Sequence, residues 1–443
     1  MNAADFFKCF EENVKSEPDK YFHDYLNVKE KVKDSSAYYE GKPVEFLYQP
    51  MFFTADDIER FKSLTSTLTG ILKKVVSSYL KSPQLRKEFG FSPLMEELIL
   101  VDPGYSIKFP MARYDIFYHY DNNYKFCELN ADGSSSMNES RVLHDILYNS
   151  HALDGIKDSY RVYDFELFDS WIDSILANYR EFNGGRDGSP NIAIMDFEGD
   201  GIISEFEVFQ KRFVQRGYHT VICDPRELKY IKGKLYFKNN RIDLIYRRAT
   251  TSRLVDKADD IQDFIRAYKD GAVCVVGGLV SQIIHSKKLF AVLHNDGMIP
   301  GLDNKEKEFI KMHVPWTAVF DPDDKNMVNR LKSNRDKLVL KPFDKYAAHG
   351  VYIGKDYNSG EWESLIANSS REPYLVQELC DISNINMLTL ENKKPVFEKY
   401  NYIIGLFMYN HQFRGFYTRA GRKNVIASIA ESFTLPNFIV ESQ

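Results

Sequence analysis

Two alternating apolar runs flank Asp121-Asn122-Asn123 within residues 113–130, and together they predict a β-hairpin closed by a tight turn. With the turn centred on Asn122-Asn123, Asp115 falls opposite Asn130 and Phe117 opposite Glu128. Side chains alternate along a strand, so Asp115, Glu128 and Asn130 share one face, with Arg113 and Asp132 just beyond. Two carboxylates and an amide oxygen on one face suit a hard divalent cation such as Mg2+. A polar hairpin end with no ligand is the plainer alternative.

The same stretch imitates a calcium loop. Glu128-x-Asn130-x-Asp132-Gly133-x5-Glu139 nearly fits the EF-hand pattern, with Glu in place of the first Asp. That loop needs a helix leading into it, whereas IFYHY and YKFCELN are aromatic, alternating and strand-like.

At 443 residues the chain has room for two or three domains and a large core. A formal charge of −5 and the lack of a long basic run argue against a nucleic-acid partner. The five cysteines are scattered without zinc-type spacing, several of them in apolar runs. That usage predicts reduced, buried thiols and a cytoplasmic setting. No stretch has the apolar core of a signal peptide or the length of a membrane span, so no membrane partner is expected.

Apolar spacing predicts helices at 6–16 and 54–82, the second capped by Thr54 ahead of Asp56 and Asp57. Further helices are expected at 137–148 and 165–182, followed by a Gly/Pro/Asp linker at 183–191. Strand–helix–strand alternation then begins with NIAIMDF and runs to AVCVVGG, which builds a mostly parallel sheet with crossover helices. A hairpin around Lys232-Gly233 interrupts it. The turn after NIAIMDF reads EGDGIISE and lacks the G-x-G-x-x-G cradle, which excludes a Rossmann cofactor site. The chain therefore divides into residues 1–188, an inserted α/β unit at 189–302, and 303–443.

In LVLKPFDKYAAHGVYIG, Lys341 ends an apolar strand that enters the small-residue loop Ala347-Ala348-His349-Gly350. Small residues let backbone N–H groups approach phosphate oxygens, and the lysine adds a point charge. A β-hairpin with an exposed lysine is the competing reading. Farther on, YLVQELC is an apolar strand whose edge backbone groups at Glu378 and Leu379 can pair with an adenine ring. Arg247, Arg248 and Arg253 follow a strand and form either a carboxylate-binding group or a solvated basic face. Ser134, Ser135 and Ser136 read as a polar turn. No cysteine has a convincing histidine partner for nucleophilic catalysis.

Several segments, in order from about residue 100 to 430, resemble those of circularly permuted ATP-grasp ligases. They are RxD…ELNAD, DLIYRR, VVGGLVSQIIHSKKLFAVL, VPWTAVF, LVLKPFDKYAAHGVYIG, YLVQEL and GFYTRAG. The resemblance is to the glutathionylspermidine synthase type and also to eukaryotic glutathione synthetases. It implies a permuted ATP-grasp fold of mixed α/β and α+β class, with an inserted parallel-sheet substrate domain at 189–302. The Mg-binding hairpin would then lie within 1–188 and the nucleotide-binding part within 303–443.

The resemblance also implies roles. Asp115, Glu128 and Asn130 would hold Mg2+, two ions in all, against the ATP phosphates. Arg113 would lie near the transferred phosphate, and Arg419 would stabilise the acyl phosphate. Lys287, or its neighbour Lys288, and Lys341 would reach ATP, with Gly350, Gln377, Glu378 and Leu379 completing the nucleotide site. Arg248, Ser134 and Ser135 would serve the substrate. The implied reaction joins a small-molecule or short-peptide carboxylate to an amine through an acyl phosphate, releasing ADP and phosphate. Relatives carry a Gly-Gly-x-Gly type loop where this chain has Ala347-Ala348-His349-Gly350, and this departure supports a second reading, a non-catalytic ATP-binding protein.

Overall fold

The computed structural model describes residues 3–120, 123–295, 297–343, 349–369, 373–391, 394–426 and 431–442. At its centre is a six-stranded antiparallel sheet drawn from two distant parts of the chain. Its order is Phe433–Leu435, Gln412–Gly421, Lys394–Tyr409, Met111–Tyr118 and Tyr124–Asn130, and Asn384–Glu391 pairs with the first half of Lys394–Tyr409. One face of this sheet is apolar. Ala112, Tyr114, Ile116, Ile404, Leu406 and Met408 point into a core with Leu64, Leu68, Ile71 and Val75 of the helix Ala55–Lys81. That helix starts as its sequence predicts, with Thr54 and Asp57 forming a reciprocal capping box. Residues one step out of phase, including Arg113, Asp115 and Gly405, therefore lie on the other face.

The alternating middle of the chain forms a four-stranded parallel sheet ordered Cys274–Val276, Leu244–Arg247, Ile192–Met195 and Thr220–Cys223. Phe206, Phe209 and Trp171 cover one face, and Phe264, Ile265 and Leu254 the other. The strand order reverses between Ile192–Met195 and Leu244–Arg247, so Asp196 and Arg248 sit at the carboxyl ends flanking that crevice. The Lys232-Gly233 hairpin forms as expected, with φ of 48° and 75° at the two turn residues.

A third, antiparallel sheet is ordered Thr317–Val319, Tyr374–Glu378, Leu338–Pro342 and Tyr352–Ile353. Outside the sequence expectations, Asn437–Ser442 pairs in parallel with Met51–Thr54 and antiparallel with Tyr160–Tyr163. The helix expected at 165–182 begins four residues late, as Asp169–Phe182. A further N-terminal helix, Pro18–Lys33, lies between the two expected ones. Among the described residues, no helix is long and apolar enough to cross a membrane.

Candidate active site

The hairpin forms, in a different register from the one its turn suggested. Asp115 pairs with Glu128 and Arg113 with Asn130, two residues away from the expected partners. The last ladder pair is Tyr118 with Tyr124, and the His119 N–H bonds the Asn123 carbonyl, so the loop is longer than a two-residue turn. Asp121 and Asn122 lie outside the described residues. A slip of two preserves side-chain parity, so Asp115, Glu128 and Asn130 still share a face. A bulge between Asp115 and Ile116 leaves Cys127 without a partner and breaks that parity toward the loop.

On this face Arg113 grips Asp115 with two bonds, Nε to Oδ1 at 2.7 Å and Nη2 to Oδ2 at 3.0 Å. Its Nη1 donates to the Ser135 carbonyl at 3.0 Å. Arg419, from Gln412–Gly421, donates to the same Asp115 Oδ2 at 2.9 Å. The two guanidiniums flank the Tyr417 ring at 5.7 and 5.9 Å from its centroid. Gly405 makes this possible. A Cβ there would stand 2.6 Å from Arg113 Cδ, so any other residue would push the arginine away. An isolated glycine inside the apolar run YIIGLF is a sequence signal for such a close approach.

Asn130 Nδ2 lies 3.2 Å from both Asp115 Oδ2 and Glu128 Oε1. Burial raises the Glu128 carboxyl, yet Arg419, the Asn130 bond, Lys341 and Arg113 together hold it down at about 2. Arg113, Arg419 and Lys341 thus face two carboxylates, leaving the group one positive charge in excess and suited to a polyanion.

The donor set fits a magnesium ion. The carboxylates of the paired residues Asp115 and Glu128 supply hard oxygens, and the Asn130 amide, which donates its N–H to both, would offer a third by turning over. No cluster of three or more His, Cys, Asp or Glu occurs among the described residues. A cation here would draw the rest of its shell from water and phosphate, as Mg2+ commonly does.

Lys341 lies on Leu338–Pro342, and its charge is felt by Glu128, Cys127 and Cys380. Lys287 Nζ is 3.5 Å from the carbonyl of Pro342, the next residue, whereas Lys288 Nζ sits 4.4 Å over the Phe343 ring. Of the doublet, Lys287 is therefore the one beside the Lys341 backbone. Gly350 has a left-handed φ of 72°, and His349 beside it is exposed. Ala347 and Ala348 lie outside the described residues.

The expectation that backbone N–H groups at Glu378 and Leu379 pair with an adenine ring is corrected. Tyr374–Glu378 runs between Thr317–Val319 and Leu338–Pro342, so it is a central strand. The Glu378 N–H bonds the Trp316 carbonyl and the Leu379 N–H bonds the Lys337 carbonyl, both at 2.8 Å. Glu378 also faces Lys125 of the hairpin at 3.7 Å, and Gln377 Nε2 donates to Thr317 Oγ1 at 2.9 Å. Neither N–H is left for an adenine ring.

The three arginines after DLIYRR separate. Arg253 pairs with Asp200 at the surface, 2.6 Å apart. Arg247 and Arg248 are buried, so the solvated basic face does not exist there. Arg247 bonds Asp132 at 2.6 Å, and Arg248 bonds Glu205 at 3.1 Å and the Tyr246 hydroxyl at 2.8 Å. Arg248 also donates to the Ser134 carbonyl, and Ser134 Oγ turns back to the Asn130 carbonyl at 2.6 Å. Sequence reasoning missed Glu205, which has no motif around it. It also missed His285, whose Nδ1 is buried without a hydrogen-bond partner near Glu128, Asp132 and Lys287.

The calcium-loop pattern dissolves in the structure. A strand enters it, Asp132 is consumed by Arg247 and the Thr251 N–H, and Glu139 accepts from Thr434 Oγ1. All five cysteines are free thiols, Cys223 and Cys274 buried and the other three half-buried. Burial pushes the Cys127 and Cys223 thiols up to about 12 and Cys380 to about 11, far from a nucleophile's range.

The fold is that of the ATP-grasp class, as the sequence resemblance implied. The chain superposes on a glutathione synthetase-like effector from Globodera pallida, solved in apo form, with a TM-score of 0.60. The alignment covers 96% of this chain and 99% of that one at 12% identity. Weaker alignments include D-alanyl-alanine synthetase A from Vibrio cholerae, with a TM-score of 0.28 and 9% identity over 58% of this chain and 90% of that one. The macrocyclase MdnC from Microcystis aeruginosa, bound to a precursor peptide, aligns with a TM-score of 0.30 and 10% identity over 56% and 90%. No protein-family model and no curated protein matches the sequence. Likeness at this level of identity defines the fold and leaves the activity to the residues.

Proposed function

We propose that this chain is an ATP-dependent ligase that joins a carboxylate to an amine through an acyl phosphate, releasing ADP and phosphate. The observation that carries the reading is the meeting of Arg113, Arg419 and Lys341, from three distant segments, around the carboxylate pair Asp115–Glu128. Such an excess of fixed positive charge is suited to phosphoryl oxygens whose charge shifts during transfer. The permuted order is part of the reading, because the carboxylate hairpin precedes the lysine strand in the chain.

Asp115, Glu128 and Asn130 would hold the two Mg2+ ions, whose chemistry is to neutralise phosphate oxygens as Lewis acids. Lys287 and Lys341 bind the phosphates, and Gly350 lets the backbone approach them. Gln377, Glu378 and Leu379 form the wall beside the base, without lending it the two N–H groups already bonded in the sheet. Arg113 and Arg419 hold the phosphoryl group as the substrate carboxylate attacks. The acid lies against the turn of Ser134 and Ser135, with Arg248 behind that turn rather than on it. An amine then displaces phosphate from the acyl carbon to form the amide.

The test mixes purified protein with ATP, Mg2+ and pairs drawn from short peptides, amino acids and polyamines, reading ADP release. At least one pair is expected to raise it, and Asp115→Ala and Glu128→Ala to abolish the rise. Tight ATP binding with no turnover on any pair would favour a nucleotide-binding protein without catalysis. ATP binding unchanged in both variants would sink the site assignment.

A further inference from the structure

Glu205 contributes nothing to the chemistry above, yet its carboxylate is fully enclosed and fully used. It sits in the first turn of the helix Ile203–Gln215, on the parallel-sheet unit. Oε2 accepts the N–H groups of Met137 at 2.9 Å and Asn138 at 3.2 Å, which open the helix Met137–Tyr148. Oε1 accepts from Arg248 at 3.1 Å, and Arg248 in turn donates to the Ser134 carbonyl. On the near side of the same turn, Asp132 is pinned by the Thr251 N–H and Arg247, both at 2.6 Å. The parallel-sheet unit therefore clamps the turn at residues 132, 134, 137 and 138.

Between those clamps stands Ser135, whose carbonyl receives Arg113, and then Ser136 with a left-handed φ of 86°. A serine holds that conformation only where its surroundings over-determine it. Ser136 is the N-cap of Met137–Tyr148 and makes no side-chain cap bond, so Glu205 does the capping from another unit. We propose that Glu205 is a positioning residue for Arg113, acting through Arg248 and the 134–138 turn. Without its carboxylate, two helix N–H groups and Arg248 lose their acceptor, Ser136 is free to leave φ 86°, and the Ser135 carbonyl turns away. Arg113 then keeps Asp115 alone. The catalytic meaning of this relay rests on the ligase reading; the relay itself does not.

The test uses the full chain labelled with 15N-arginine. The signal of the Arg113 Nη1 protons, which bond the Ser135 carbonyl, is assigned by its loss in Arg113→Lys. Its exchange with solvent is expected to be slow in the wild type and about tenfold or more faster in Glu205→Ala, because the removed carboxylate and the reporter are coupled. Glu205→Gln retains an acceptor oxygen and should recover most of the protection. Glu205→Asp keeps the charge with a shorter reach and should fall between, even if the alanine variant does not fold. Unchanged exchange in both Glu205→Asp and Glu205→Gln, with Glu205→Ala unchanged or unfolded, overturns the proposal.

A second arm measures binding of Mg2+ with the non-hydrolysable ATP analogue AMP-PNP. Glu205→Asp is expected to weaken it a few-fold in the wild-type background and to have almost no further effect on top of Arg113→Lys. Losses that simply multiply mean a general structural role and also overturn it. Failure of the wild type to bind AMP-PNP would count against the ligase reading, while the Arg113 signal still decides the relay.

Discussion

Two buried arginine–carboxylate clusters lie back to back in this molecule, and they are built on opposite plans. In Arg247–Asp132 and Arg248–Glu205 each carboxylate has its own arginine and its own backbone N–H donors, and all four side chains are at most 3% exposed. In the other cluster two arginines crowd onto Asp115, Glu128 takes a hydrogen bond from the Asn130 amide, and Arg419 is 20% exposed. A cluster in which each charge is matched is finished, and it acts as scaffold. One that is unbalanced and open on a side has chemistry left for something else to complete.

The sharpest way to break this contrast is to remove an arginine from each. Arg247→Ala should leave Asp132 buried and unpaired, lowering stability by roughly 3–5 kcal/mol in urea denaturation. Gly405→Ala comes next. Its new methyl must displace Arg113, at about 1–3 kcal/mol by the same measurement. Arg419→Ala should cost less than either, about 1 kcal/mol or below, because the arginine is part-exposed and Asp115 keeps Arg113. Its loss should instead appear in ATP-dependent ADP release. If Arg419→Ala proved as destabilising as Arg247→Ala, the two clusters would not differ in kind.

The smallest effect is one of pH. Glu128 titrates at about 2 in the folded chain against its ordinary 4.5. Between those values the unfolded state binds more protons, so its stabilisation is present above 4.5 and is lost as pH falls toward 2. The stability gap between wild type and Glu128→Gln should stay constant from about pH 5 to 8 and narrow only in more acid solution. A gap that changed through neutrality would mean that the cations do not hold this carboxylate.

Periodicity made the hairpin, the Thr54-capped helix and the parallel sheet legible, since each rests on local spacing. Register was not legible. It was fixed by a five-residue span from His119 to Asn123 and by the bulge at Cys127. That the Glu378 and Leu379 N–H groups are taken was not legible, because the partners that take them, at Trp316 and Lys337, come from elsewhere in the sequence. The charged residues facing ATP in the proposal were readable from motifs. Glu205 was not, because a capping carboxylate supplied by a different unit leaves no spacing to detect.

Asp115 and Arg419 are bonded across 304 positions of chain. A polypeptide emerging from the ribosome thus carries the carboxylate hairpin long before the strand that completes its sheet exists. Throughout that interval Met111–Tyr118 offers an unpaired edge, open to other chains and in need of shielding. The candidate centre is in this sense a late product of synthesis, and truncated chains should inherit the adhesive edge without the activity.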